Sequence, residues 1–452
     1  MSPRSRKLTR RQFARRAGAG AAAFTVVPRH VLGGPEKPAA NDKLNIAAVG
    51  VGGRGWADVQ GVASENLVAL CDVDLRQTGK AYEKFPGAKR YRDFRKMLDE
   101  MDGRIDAVTV GTPDHTHAVA CMAAIKRGKH VYCEKPLAHS IYEIRELVKA
   151  AREHKVVTQL GNQGHSSGSI RTFCEWIWDG AIGKVTEVHA ACGAFPDVYC
   201  QMDKLPLLKE KHEVPAELDY DLWLGPARFR PYHPMYVPWN WRGWMPFGTG
   251  AIGDWVCHVV DPAFWALDLG APRTIRAEVD GYDPKKHADV YPPGTKISYQ
   301  FPAKGDRGPV KLVWYDGNQK IPHPEDLEED RQVPATGAVV IGDRGTITHG
   351  SHGAGGVRIV PEAKMQAYQK PEPTIPRVEG HHQDWLQAIR EGRPAGSHFD
   401  YGGPLAEIAL LGAIAIKFPG TKLEWDAESM RFTNCEEANQ YVNPPYREGW
   451  TL

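Results

Sequence analysis

One six-residue segment constrains this chain more than any other: Gly50-Val51-Gly52-Gly53-Arg54-Gly55, placed directly after an apolar run at 44–49. An unbroken apolar run of that length reads as a strand covered on both faces. Gly50 permits a tight turn, Gly52 lets backbone approach a bound phosphate, and Gly55 lets the following helix pack closely on the strand. The free N–H groups and positive dipole end of that helix favour an anion, and Gly53 and Arg54 lie at the same spot. Asp72 closes the next apolar run. These features together predict a dinucleotide, with the Asp72 carboxylate accepting from the ribose hydroxyls. A 2′-phosphate about 4 Å away would be repelled by roughly 4 kcal/mol at an effective dielectric near 20. That is on the order of a thousandfold in affinity. NAD is therefore expected, with NADP left open because Arg76 stands nearby; the alternative role for Asp72 is a helix N-cap.

Further short apolar runs at 66–71, 107–110, 130–133 and 156–160 alternate with helical patterns at 93–99 and 118–126. Ser140 followed by Glu143 is a capping-box signature for a helix running to about residue 154. Strand and helix in alternation predict an α/β fold, a doubly wound parallel sheet of the Rossmann type over 42–163. Beyond Gly161 the texture changes. A helix is expected at 170–178, with strands at 184–190, 274–279, 296–301, 310–315, 338–342 and 345–349, and helices at 381–391 and 404–416. Their close spacing and Gly/Pro turns predict a second α+β domain over 164–452, built on a large, mostly antiparallel sheet. The Pro- and Trp-rich stretch 195–250 reads as an ordered loop region whose aromatics are buried. An open sheet needs its outer face covered, so self-association as a dimer or tetramer is expected.

The basic residues are unevenly placed. Lys+Arg total 57 against 55 Asp+Glu; residues 1–38 hold nine of the former and one of the latter, leaving 48 against 54, a net charge of −6 for the remainder. A mildly acidic body argues against a nucleic-acid-binding face. No apolar run reaches the roughly 20 residues that span a bilayer. Residues 1–38 instead read as an address: a basic stretch, a short apolar run and a Gly/Pro-rich segment. Thr9-Arg10-Arg11-Gln12-Phe13 resembles the twin-arginine export signal. That resemblance implies delivery to the periplasm by the twin-arginine machinery, with the protein folded and its cofactor tightly held before export. Eight scattered cysteines with no C-x-x-C pair indicate neither structural zinc nor a disulfide framework, leaving at most a Cys192–Cys200 pair.

Three further segments sharpen the reading: Gly111-Thr112-Pro113-Asp114-His115-Thr116-His117, Glu134-Lys135-Pro136, and Gly253-Asp254-Trp255-Val256-Cys257-His258. With the glycine turn they resemble the Gfo/Idh/MocA oxidoreductases over essentially all of 42–420. The resemblance implies NAD(P)-dependent hydride transfer at a hydroxyl-bearing carbon of a sugar or cyclitol, in a pocket between two domains. It also implies that Thr112, Pro113, His115, His117, Glu134 and Lys135 meet the cofactor, and that Lys135, Asp254 and His258 form the catalytic group. A lysine at a strand end can hydrogen-bond the substrate hydroxyl and stabilise charge developing on oxygen. Asp254 and His258 share a helix face at i,i+4, and histidine is the natural general base near neutrality. Pro136 would fix the local backbone, and Asp261 would cap the helix begun by Pro262.

Gln163 and His165, after the last strand of the first domain, are expected to line the substrate pocket with Trp241 and Arg242. His115, His117, His381 and His382 could suggest a metal, but the first pair lacks an acidic partner at ligand spacing, and no metal is expected. Two other readings fit the same residues: an NAD-dependent glycoside hydrolase working by transient oxidation and elimination, and a non-catalytic sugar-binding protein.

Overall fold

A computed structural model of the protein describes residues 43–452. The export-signal reading of residues 1–38 lies outside the described residues.

Residues 45–160 form a six-stranded parallel sheet of β1 (Asn45–Val49), β2 (Asn66–Cys71), β3 (Lys89–Tyr91), β4 (Ala107–Val110), β5 (His130–Cys133) and β6 (Thr158–Leu160). The spatial order is 3-2-1-4-5-6 and every pairing is parallel. β4 and all but the first residues of β1 and β5 are buried, which is why these strands read as unbroken apolar runs. Five helices cross over between strands: α1 (Gly53–Gly61), α2 (Gly79–Lys84), α3 (Phe94–Met101), α4 (Asp114–Ile125) and α5 (Ile141–His154). At the head of α5 the expected capping box is present: Ser140 Oγ accepts from Glu143 N at 3.3 Å, and Glu143 Oε2 accepts from Ser140 N at 2.7 Å.

The chain then enters α6 (Gly168–Trp178) and β7 (Val185–Cys192), and a long segment of short turns follows. Next come α7 (Gly250–Val259), α8 (Asp261–Leu267), β8 (Thr274–Val279), β9 (Gly294–Phe301), β10 (Val310–Gly317), β11 (Thr336–Gly342), β12 (Thr346–Gly350) and β13 (Arg358–Val360). α9 (His381–Glu391), α10 (Phe399–Ala415), β14 (Leu423–Asp426) and β15 (Arg431–Phe432) complete the chain's main elements. The second sheet has nine strands in the order 13-12-11-7-10-9-8-14-15, and the β7–β10 pairing alone is parallel. Its opposite face is partly covered from within, because Ile321 of the β10–β11 connection packs on Val313, Tyr315 and Val339. This internal cover reduces the apolar area that the self-association argument relied on.

The 195–250 stretch is ordered around its own aromatic cluster, with Tyr220, Trp223, Tyr236, Trp244 and Phe247 all buried. All eight cysteines are free, so the Cys192–Cys200 pairing does not form. No helix among the described residues is long and apolar enough to cross a membrane.

Candidate active site

A cleft of about 1220 Å³ opens where the carboxyl ends of β1, β2, β4 and β5 meet the loops and α7 of the second domain. The sheet order reverses between β1 and β4, the position at which open α/β sheets bind their ligands. Gly50 turns the chain there with φ +78°, and a Cβ on it would lie 2.7 Å from Gly111 backbone. A Cβ on Gly55 would come within 2.1 Å of the Gly50 carbonyl oxygen, so α1 can pack on the turn only without a side chain there. Gly52 and Gly53 line the cleft; the space beside Gly52 is taken by Gln77, whereas beside Gly53 it is open.

Asp72 faces the cleft with its carboxylate held by two backbone donors, Val51 N and Asp74 N, each at 2.9 Å. Asp74, not Asp72, caps the following turn, and it grips Arg76 through two contacts of 2.7 Å. Arg76 is therefore committed to a neighbouring acid and does not soften the charge that Asp72 presents. Thr112 and Pro113 line the opposite wall, where Thr112 Oγ1 is buried without a hydrogen-bond partner. A buried hydroxyl lacking a partner, an open space at Gly53, and a helix start with no side-chain cap together fit a pyrophosphate-bearing dinucleotide.

Lys135 and Glu134 follow β5, and the Lys135–Pro136 peptide bond is cis. The Lys135 ammonium pairs with Asp254 Oδ1, and Tyr199 donates its hydroxyl to Asp254 Oδ2. Trp255 Nε1 donates to Tyr199 at 2.8 Å, and Arg242 Nε lies 3.4 Å from Asp254. Burial alone would raise the Asp254 carboxyl, but the Lys135 and Arg242 cations hold it well below the usual carboxylate range. For Lys135 burial opposes the charge, while Asp254 and Glu134 overcome it and keep the amine protonated above the ordinary lysine value. Arg242 is clamped between Trp239 and Trp241, 4.1 and 4.3 Å from the ring centroids.

His258, one helical turn beyond Asp254, is only 4% exposed, and its Nδ1 has no hydrogen-bond partner. Burial, followed by the Lys135 cation, drives its pKa well below the ordinary histidine value, so the ring is neutral and able to accept a proton. His352 stacks on it from the end of β12, within three successive left-handed residues, His352, Gly353 and Ala354 (φ 55°, 84° and 58°). Glu134 is buried against Arg54 Nε at 2.9 Å and Gln163 Nε2 at 2.7 Å. Asp114, also lining the cleft, accepts from Thr249 N and Oγ1 at 3.0 and 2.6 Å. Burial, then the nearby Asp254 charge, raises its carboxyl to about 7.

Several expected site residues take other positions. His115 is buried, with its ring nitrogens 3.2 and 2.9 Å from the Phe247 and Trp223 carbonyl oxygens. His117 ties the Thr112 carbonyl to that of Pro136, at 2.7 and 2.8 Å. Both rings fasten the cleft's loops together and neither lines it. His165 is held by Asp261 at 3.1 Å and stacked on Trp265, so Asp261 binds a side chain rather than capping α8. Gln163 is turned toward Tyr132 and Glu134. Trp241 is 6% exposed and Trp239 is 45% exposed, which makes Trp239 the open aromatic face at the cleft. His381 and His382 bond to Leu160 O and Asp58. Among the described residues Glu210, His212 and His233 bring three metal-ligating atoms together, away from the cleft lining. Tyr199 and His352 had no signature in sequence spacing, whereas Asp114 lies in the 111–117 motif and Trp239, like Tyr199, in the aromatic stretch already expected to be ordered.

Comparison with known proteins agrees with this geometry. Residues 44–162 match the family model of the Gfo/Idh/MocA oxidoreductases, NAD-binding Rossmann fold, and residues 199–452 match that family's C-terminal alpha/beta domain. An inositol 2-dehydrogenase of Rubrobacter xylanophilus is 30% identical over 148 residues, 32% of this chain and 42% of the relative. A 1,5-anhydro-D-fructose reductase of Ensifer adhaerens is 41% identical over 197 residues, 42% and 46% of the two chains. The matched region thus spans less than half of these curated relatives. A solved levoglucosan dehydrogenase in complex with NADH shares the fold, with a TM-score of 0.54 at 18% identity over 83% of this chain and 97% of the other.

Proposed function

The chain belongs to the Gfo/Idh/MocA oxidoreductase family, and from that premise we propose that it transfers a hydride between a nicotinamide dinucleotide and a hydroxyl-bearing carbon of a sugar or cyclitol. The observation that carries this reading is the Lys135–Asp254 ion pair, standing in the same cleft as the glycine turn and Asp72. NAD supplies the hydride acceptor when bound, held along Gly50–Arg54, at Asp72 and against Thr112–Pro113. The remaining work belongs to the chain. Protonated Lys135 donates to the substrate oxygen and stabilises the negative charge that grows there as hydride departs. Neutral His258 takes the hydroxyl proton. Asp254, kept ionised, offsets the positive charge that proton transfer adds. Trp239 offers an open ring face for the apolar side of a sugar, and Arg242 stands beside it for a hydroxyl.

The names of the relatives support the substrate class: inositol, anhydrofructose and levoglucosan are all hydroxylated rings. Thr9-Arg10-Arg11-Gln12-Phe13 supports export by the twin-arginine route. The test is mass spectrometry of small molecules released on denaturing the purified protein, followed by an absorbance assay of the identified cofactor against a panel of sugars and cyclitols. NAD in the released fraction and turnover with at least one ring polyol are expected. Neither cofactor release nor turnover, with intact Lys135 and His258, would refute the proposal.

A further inference from the structure

A second cavity, of about 1170 Å³, has Lys417 in its wall and shares no lining residue with the nucleotide cleft. Lys417 sits just after α10 and is half-buried. Its amine contacts Met245 Sδ at 2.8 Å and the Tyr441 ring at 4.9 Å, and it forms no ion pair among the described residues. The two acids in the same wall are already engaged. Asp289 is held by both arms of Arg230 at 2.6 and 2.8 Å. Glu143 accepts from two backbone N–H groups and from Tyr446. Arg228 is exposed at the rim and forms no ion pair either. The cavity thus presents one half-buried cation, Lys417, and one solvent-exposed cation, Arg228, within a mixed lining that includes Tyr441, Pro444 and Pro445.

A half-buried ammonium without a carboxylate leaves room for a ligand to supply the missing charge. We propose that this cavity is a second ligand site, for a small ring compound bearing one carboxylate or phosphate, with its anion on Lys417 and Arg228 and its ring against the tyrosine and proline wall. The anion completes a charge pair that the chain leaves open, and flat apolar walls suit a ring face. Burial, only weakly opposed by Asp289, lowers the free amine to about 8, a state that a bound anion reverses. His115 and Thr249 also line this cavity, and Thr249 holds Asp114 at the nucleotide cleft. Nothing in this proposal depends on the oxidoreductase reading.

The experiment is amine labelling of the intact protein at pH 8, with Lys417 acetylation followed by peptide mass spectrometry. D-glucuronate and D-glucose 6-phosphate serve as anionic ring probes and D-glucose as the neutral control. At least fivefold protection of Lys417 by one of the anions, and none by glucose, is expected; the protecting probe identifies carboxylate or phosphate as the preferred group. Calorimetry with that probe is expected to show binding that Lys417→Met abolishes and Arg228→Ala weakens, while NAD binding is unchanged. Equal protection by glucose, no protection by either anion, or undiminished binding by Lys417→Met would overturn the proposal. So would protection that rises with protein concentration without probe, which would assign the cavity to an interface between copies.

Discussion

His352 lies on His258 in a near-parallel stack, with ring centroids 4.1 Å apart and planes 21° from one another. Since His258 Nδ1 has no hydrogen-bond partner, this stack and the edge of Trp255 fix the plane of the ring proposed as the proton acceptor. The loop that delivers His352 is strained by two left-handed non-glycine residues, His352 and Ala354, and tied down by Ser167 and Ser169, both donating to the Gly353 carbonyl.

His352→Ala is expected to lower kcat about tenfold, or roughly 1.4 kcal/mol, with a smaller effect on KM. His352, Lys135 and Arg54 all oppose protonation of His258 and Asp254 favours it, so removing His352 shifts the acid limb of the pH–rate profile upward. His352→Phe preserves the stack and should recover most of kcat. An unmoved acid limb in the alanine variant would show that His352 does not act through His258.

Asp254→Asn removes the anion that keeps Lys135 protonated. The expected result is a loss of kcat of about a hundredfold or more and an alkaline limb displaced to lower pH, because the lysine then loses its proton more readily. Binding of NAD, followed by protein fluorescence, should change little, since Asp254 lies at the substrate end of the cleft.

Asp114 behaves oppositely from a surface carboxylate. Its folded-state value of about 7 lies above the unfolded value of about 3.9. The folded state therefore binds the extra proton, and stability falls as pH rises between these limits. Asp114→Asn retains an acceptor for Thr249 and removes that slope, and is expected to be the more stable protein at pH 8 by about 2 kcal/mol. Thermal denaturation of both proteins from pH 4 to 8 would decide the point.

Asp72→Ser is expected to bring NADP affinity to within about tenfold of NAD, whereas the unaltered chain should favour NAD by on the order of a thousandfold. Titration of each dinucleotide by calorimetry checks both figures. Arg76, bound to Asp74, is not expected to contribute, and Arg76→Ala should leave the preference intact.

The central strands and the helices around them were legible because burial on both faces forces apolar runs, and because Ser140 and Glu143 satisfy one another at the start of α5. β3 and β13 to β15 escaped notice: they are two to four residues long and partly exposed, so no periodicity can form. In the cleft, Lys135, Asp72 and the glycine turn were readable from position, since each follows a strand. His165 and Gln163 were assigned to the cleft by the same logic, and His115 and His117 by the family resemblance, yet a motif locates a backbone without telling which way a ring turns. Tyr199 and His352 reach the site from 55 residues before Asp254 and 94 residues after His258 along the chain. Only packing brings them there.

The Lys135–Asp254 pair joins a strand end of the nucleotide-binding half to a helix of the other half. Any hinge opening of the two halves would separate ammonium from carboxylate, although both groups would stay ionised in water at their ordinary values. What opening takes away is placement: the pair acts as a latch across the cleft, and only the closed form holds the ammonium at a fixed position against Asp254.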